Sequence, residues 1–357
     1  MKISKTNSLL RLVAFLLITV VLVGAVGIVS EGIEKEPTTN DTNQPNAPIL
    51  TPPATDIPAV SERYENYLSG LSCSMIDSKT VPICYMMSPT SNLYGIKDAE
   101  LTIEFPLENG QTRLLVYTSN TGALGKIGAI APMRRFMSPF ISAFGGILAH
   151  NGMDDTVPYS SENVDGTIDL SKSNAYSYTE GQGQVHTNGK LISSALENLQ
   201  YITTLNTKPS LPYLFPDSPE EVIHGTYQGQ NITIPFAIQN KTQLIYDIST
   251  GAYRYESNGQ ARTDYHSGEV VSYENVFILF SDSTTYERAD TTELVFECAE
   301  GGVGYYFTKG SMTKFIWTIK DGHMLFKDLS GQKLVINRGN SYFSIYKTTQ
   351  KNSILIY

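Results

Sequence analysis

Between residues 219 and 350 short β-type runs follow one another almost without interruption, which limits this half of the chain to a few architectures. Runs rich in Ile, Val, Tyr, Phe and Thr occupy residues 232–238, 243–248, 252–257, 273–281, 294–297, 304–308, 313–319, 333–337 and 342–346. Asn258-Gly259, Asp321-Gly322 and Ser330-Gly331 punctuate them. Such pairs favour tight turns, so closely spaced strands joined by them predict a meander, sandwich or barrel. The 22 tyrosines against one tryptophan suit half-exposed strands and polar ligand surfaces alike.

Residues 61–218 mix two periods. Strand-like runs at 81–87, 101–105 and 114–118 alternate with two helical patterns. Pro132 opens the first, in which Met133, Phe136, Met137, Phe140 and Phe144 recur at helical spacing. Gly145-Gly146 stops it, and Pro139 inside the run predicts a kink or split. The second has Thr187 or Asn188 as N-cap and an apolar face of Leu191, Ile192, Ala195, Leu196 and Leu199. A proline-rich patch at 209–219 places a boundary near Ser218. The expected class is α+β, a mixed α/β domain at 61–218 followed by a β-rich domain at 219–350.

The front of the chain has a different character. Eighteen uncharged residues, 12–29, follow a basic tip carrying Lys2, Lys5 and Arg11. This is about the shortest run able to cross a hydrocarbon core of roughly 30 Å. The charge step places the tip in the cytoplasm and the rest outside, whether the run stays as a membrane anchor or is cleaved as a signal after Ala25-Val26-Gly27. Residues 31–60, with Pro, Thr, Asn and Asp and few large apolar side chains, read as a disordered spacer.

Charge narrows the partners. The net charge is −9, and because three basic residues lie in the first eleven positions, the remainder is three units more negative. That field excludes nucleic acid as a partner. The first of three cysteines is Cys73, so no lipid-bearing cysteine follows the apolar run. Cys73 and Cys84 are close enough in sequence to pair in an oxidising compartment or remain thiols, and Cys298 reads as a buried thiol. No Cys/His spacing suggests a metal site, and no cofactor fingerprint is present.

Serine-elbow, phosphate-loop and zinc-protease motifs are absent. Lys126, Arg134 and Arg135 lie at or before the first turn of the helix predicted from Pro132. Cations oppose the dipole there, so they point to capture of an anion, or else to pairing with Glu104 or Glu108. His150 at a strand end and His186 before the second helix could serve acid-base or anion-binding roles, or act as structural hydrogen bonders.

The strings "ENGQTRLLVYTS", "KIGAIAPMRRF", "ILAHNG", "VHTNGKL", "YDISTGAYRYESNGQARTDY", "GVGYYFTKG" and "TIKDGHMLFKDLSGQKLVINRG" follow one another in this order. Together they resemble the YerB-like bacterial lipoproteins, domain-of-unknown-function family 3048, over about residues 82–346. Carried over position by position, the resemblance retains Glu104, Glu108, Arg113, Lys126, Gly128, Arg134, His150, Gly152, His186, Gly251 and Gly259. It departs at Ala131, where the family has a further arginine, at Met86-Met87 in place of an acid-Asn pair, and at Val185-His186-Thr187. The family's lipid-bearing cysteine is missing. The resemblance implies a two-domain bacterial envelope protein and supplies no enzymatic activity.

These observations favour a binding or assembly protein over an enzyme. The candidate ligand residues are Glu104, Arg113, Lys126, Arg134, His150 and His186, and the expected partner is an anionic wall polymer or an envelope protein. A wall-acting hydrolase or transferase would instead need Glu104, Arg134 and a histidine to converge around a cleft. A scaffold for another membrane protein would expose an apolar patch on the β-rich part.

Overall fold

The computed structural model describes residues 63–89, 92–153, 166–288, 291–320 and 322–357; the run at 12–29 and the spacer at 31–60 lie outside them. Among the described residues no helix is long and apolar enough to cross a membrane.

The β-rich expectation holds for residues 219–350, whereas the mixed α/β domain expected at 61–218 is not found as such, because its described residues are also mostly strand. Before residue 219 lie β1 (Ile83–Met87), β2 (Leu101–Pro106), β3 (Thr112–Thr118), β4 (Lys126–Ile130), β5 (Ile147–His150), β6 (Thr167–Asp169), β7 (Tyr178–Glu180) and β8 (Gln184–Asn188). After it come β9 (Tyr227–Gln228), β10 (Asn231–Ala237), β11 (Asn240–Asp247), β12 (Ala252–Ser257), β13 (Gln260–Ala261), β14 (Ser272–Tyr273), β15 (Asn275–Ser281) and β16 (Ser283–Arg288). The last are β17 (Thr291–Phe296), β18 (Gly302–Thr308), β19 (Ser311–Lys320), β20 (His323–Lys327), β21 (Ser341–Lys347) and β22 (Leu355–Ile356).

One large mixed sheet runs β20-β19-β18-β15-β21-β2-β3-β1-β4-β8-β7. Its centre is β21, parallel to β15 on one side and to β2 on the other, with Leu101 opposite Ser341 and Glu104 opposite Ser344. Strands from both sides of Ser218 therefore form one sheet, and residues from Ser61 onward make one unit. A smaller sheet, β13-β12-β11-β10-β22 with β14 on β12, is built from antiparallel hairpins. The predicted strand at 333–337 is absent; the segment is held by isolated bridges, Leu214 with Val335 and Lys327 with Lys333.

Side chains along a strand alternate between faces, and that alternation sorts the core into two layers. Phe343, Phe277, Phe105 and Leu115 face the short helix Ser138–Phe144, which buries Phe140, Ile141 and Phe144 against them. Phe277 and Phe343 stack at 4.3 Å. Tyr342, Val276, Leu114 and Val116 face the other way and pack with Ile232, Leu244, Tyr253 and Tyr255 of the small sheet. Each fully buried side chain of this size stabilises the fold by roughly 1.5–3 kcal/mol.

The helices depart from expectation at one point and agree at another. The first begins at Ser138, after a 3-10 turn at Arg135–Met137, and not at Pro132. Met133 is tied by a bridge to Met153 and Arg134 is extended, at φ −123°, which keeps 132–134 out of the helix. Pro139 causes no kink because it sits in the first turn, where its missing N–H costs nothing. Gly145, at φ +69°, ends the helix as expected. The second helix, Gly189–Asn198, is capped by Asn188, whose side chain accepts from Leu191 N at 2.9 Å. Its apolar face includes the buried Ile192 and Ala195.

Candidate functional site

The residues proposed from sequence do not converge. Arg134 is 5% exposed and makes a bidentate pair with Glu108, at 2.5 and 2.9 Å. Burial alone would raise the Glu108 pKa, but the guanidinium outweighs it and holds the carboxyl below its usual range. Arg134 thus pairs internally, in the extended segment before the helix, and the helix-terminus argument for anion capture fails there. Arg113 Nε donates to the carbonyl of Pro132 at 3.2 Å. His150 is buried with both ring nitrogens engaged, Nδ1 with Gly152 O at 2.8 Å and Nε2 with Thr167 Oγ1 at 3.2 Å. Burial lowers its pKa, and its place is that of a structural hydrogen bonder.

Lys126 and His186 do come together, on neighbouring strands β4 and β8. Lys126 pairs with Glu180 and lies 4.2 Å from the centroid of the Tyr94 ring. Burial opposes its charge, yet the Glu180 carboxylate raises its pKa overall. His186 is buried between Tyr94 and Tyr178, and its pKa is lowered by burial and by the Lys126 charge. Its Nδ1 has no hydrogen-bond partner among the described residues.

Glu104 has a third location. It is 2% exposed, on the face of β2 turned toward the small sheet. Its carboxyl accepts from Thr112 Oγ1 at 2.6 Å, from Thr242 Oγ1 at 2.9 Å and from the Tyr342 hydroxyl, with the Tyr255 hydroxyl at 3.5 Å. Burial raises its pKa against the pull of these hydroxyls and of the Arg262 charge. The hydrolase arrangement of Glu104, Arg134 and a histidine is not assembled.

Glu104 instead lies at the wall of a cleft of about 350 Å³ between the β2–β3 hairpin and the small sheet. The β2–β3 turn contributes Asn109, Gly110 and Gln111, the β10–β11 turn Gln239 and Asn240, and the β12–β13 region Ser257, Asn258 and Arg262. Asn240 Nδ2 donates to Gly110 O at 2.6 Å and ties the two turns together. A Cβ on Gly110 would stand 2.5 Å from Ala237 Cβ, so this close approach requires glycine, which also supplies φ +74°. Arg262 is the one cation among the described lining residues.

Sequence reasoning missed Arg262 and the cleft amides, although "YDISTGAYRYESNGQARTDY" contains both Asn258 and Arg262. Only the crossing of the two sheets brings them to Glu104. The cysteines stay unpaired: Cys84 and Cys298 are buried and Cys73 is half-buried, so the Cys73–Cys84 bridge does not form. Cys84 lies within β1, where its thiol faces the core beside Tyr117. The exposed Ile238 and Ile248 sit at opposite ends of β11. Among the described residues no His/Cys/Asp/Glu group could hold a metal ion.

Comparison with known proteins gives consistent matches. Residues 232–343 match the family described as protein of unknown function (DUF3048), C-terminal domain. The chain is 23% identical over 293 residues to the Bacillus subtilis (strain 168) protein named "Putative lipoprotein YerB", covering 75% of this chain and 82% of that one. The crystal structure of YerB from Bacillus subtilis aligns with a TM-score of 0.69 at 17% identity, over 83% of this chain and all of that one, which shows a shared fold.

Proposed function

For a relative of the YerB-like proteins that carries the DUF3048 C-terminal domain at residues 232–343, we propose a role as an extracytoplasmic, membrane-tethered binding protein of the bacterial envelope. The tether is the apolar run at 12–29, whose basic tip supports the orientation. The lipoprotein name of the Bacillus relative supports the same compartment, reached there by a different anchor.

The binding site is the Glu104–Arg262 cleft. One observation carries this reading: two sets of turns, from β2–β3 and from the small sheet, converge on a polar hollow with a single guanidinium among its described lining residues. A concave site with a few convergent polar groups is what ligand recognition requires. Of the other candidate cations, Arg134 pairs with Glu108 and Lys126 with Glu180, and Arg113 donates to the Pro132 carbonyl.

Co-sedimentation of the full-length protein with purified cell-wall sacculi tests the proposal. The wild-type protein is expected to pellet, Arg262→Gln to pellet much less, and Lys126→Ala to behave as wild type. Failure of the wild-type protein to associate, or undiminished association of Arg262→Gln, would overturn it.

A further inference from the structure

We infer that the cleft takes an isolated carboxylate carried on an otherwise uncharged saccharide, and that Arg262 receives this carboxylate; the inference rests on the cleft being the binding site. Arg262 Nε is buried and has no hydrogen-bond partner among the described residues. No described carboxylate comes within the 4.0 Å of an ion pair with its guanidinium, although Glu104 is close enough to feel its charge. A buried donor without an acceptor is a cost in the free protein that a bound acceptor removes. A carboxylate matches the planar guanidinium fork.

The amides around Arg262 are oriented for the same ligand. Asn109 Oδ1 accepts from Gln111 N at 3.1 Å, and Asn258 Oδ1 accepts from Lys241 N at 3.0 Å. These backbone donors fix the amide orientation, so both Nδ2 groups remain as donors at the rim. An array of N–H donors around one cation suits a ligand rich in oxygen acceptors. Gln239 and Gln111 extend the array, whereas among the described lining residues the apolar surface comes from Pro89, Ala237 and the Tyr255 ring. That balance favours sugar hydroxyls and ring oxygens over the side chains of a peptide.

Charge decides against a polyphosphate. The chain has a net charge of −9, and among the described lining residues of the cleft there is a single cation. A polymer with one negative charge per repeat would be repelled beyond its first unit, whereas one carboxylate is matched by one guanidinium. Burial disfavours the charged form of Glu104, the one carboxyl among the described lining residues.

Titration calorimetry on the full-length protein in detergent micelles separates the alternatives. The probes are an amino-sugar disaccharide bearing a lactyl carboxylate, the same disaccharide with that carboxylate amidated, a glycerol-phosphate oligomer, and a free peptide with a C-terminal carboxylate. The carboxylate disaccharide is expected to bind best. Arg262→Gln should weaken it by about tenfold to a hundredfold, as for loss of a charge-assisted hydrogen-bond pair, and Arg262→Lys should recover part of the loss. Amidation should cost the wild type as much as Arg262→Gln and cost the variant nothing further. Melting temperature should not fall in either variant, since the Arg262 side chain hydrogen-bonds no described side chain and its Nε is left without an acceptor. Equal binding of the amidated sugar, or tighter binding of the phosphate oligomer or peptide, would overturn the carboxylate-saccharide class while leaving the cleft as the site. If the disaccharide and sacculi both bind with no dependence on Arg262, the cleft itself is refuted.

Discussion

Replacing Arg134 by alanine isolates a buried charge whose worth can be worked from its surroundings. The guanidinium is 6% exposed by side chain and donates twice to Glu108, itself 21% exposed and also accepting from Leu294 N at 3.4 Å. Breaking a buried pair from one side costs about 3–5 kcal/mol when the remaining charge is sealed in. Glu108 keeps some contact with water, which sets the expectation at about 3 kcal/mol. With an unfolding entropy of about 2.1 cal/mol/K per residue over roughly 290 residues, this lowers the melting temperature by about 5 °C. Thermal unfolding of Arg134→Ala, Glu108→Gln and the double variant measures both the cost and the coupling, for which about 1–3 kcal/mol is expected. A shift under about 1 °C for Arg134→Ala, or strict additivity in the double variant, would show that the pair does not act as a buried unit.

Other expectations follow from the same structure. Glu100, half-buried and accepting from Ser119 N and Asn66 Nδ2, is pushed up by burial to about 7 against the pull of those donors. A carboxyl raised on folding contributes stability that is full below pH about 4.5 and is lost as pH rises through about 7, on the order of 2–3 kcal/mol. Glu100→Gln should therefore flatten the melting temperature between pH 4.5 and 7.5, and an unchanged pH profile would contradict the assignment. In the native protein a small thiol reagent should modify Cys73 first, with Cys84 and Cys298, the latter pushed up to about 12 by burial, reacting only on unfolding; mass spectrometry after timed quenching reads this directly. A fragment beginning at residue 219 should lack a cooperative melt, because β21 loses β2 and Phe343 loses Phe144, and circular dichroism showing a sharp transition would refute the shared sheet.

The strand pattern was legible wherever side chains carried it. Runs at 101–105, 273–281 and 342–346 became β2, β14 with β15, and β21, since buried strands are written in β-branched and aromatic residues. Lys126–Ile130 and Gln184–Asn188 escaped notice because glycine interrupts one and polar residues fill the other. The Asn188 cap was legible because its partner is three residues away, a distance that sequence displays. Glu104 was legible as a candidate, but its partners Thr242, Tyr255 and Tyr342 lie far along the chain, and no local signal connects them. Arg134 misled because the same cationic side chain fits an anion site or an internal carboxylate, and only the course of residues 106–108 after β2 decides between them.

The placement of β21 between β15 and β2 has a consequence for how the protein reaches its final form. Leu101 and Ile103 cannot complete their backbone ladder until Ser341 and Phe343 have arrived, so the middle of the large sheet is the last part to close. As the chain is synthesised N-terminus first, β2 waits with one edge bare while almost the whole remaining sequence is still to be made. Long-range parallel pairing of this kind is slow and exposes unpaired edges to aggregation. Folding is thereby tied to completion of the chain, and a product truncated before residue 341 would present an open strand edge to any protease or chaperone that meets it.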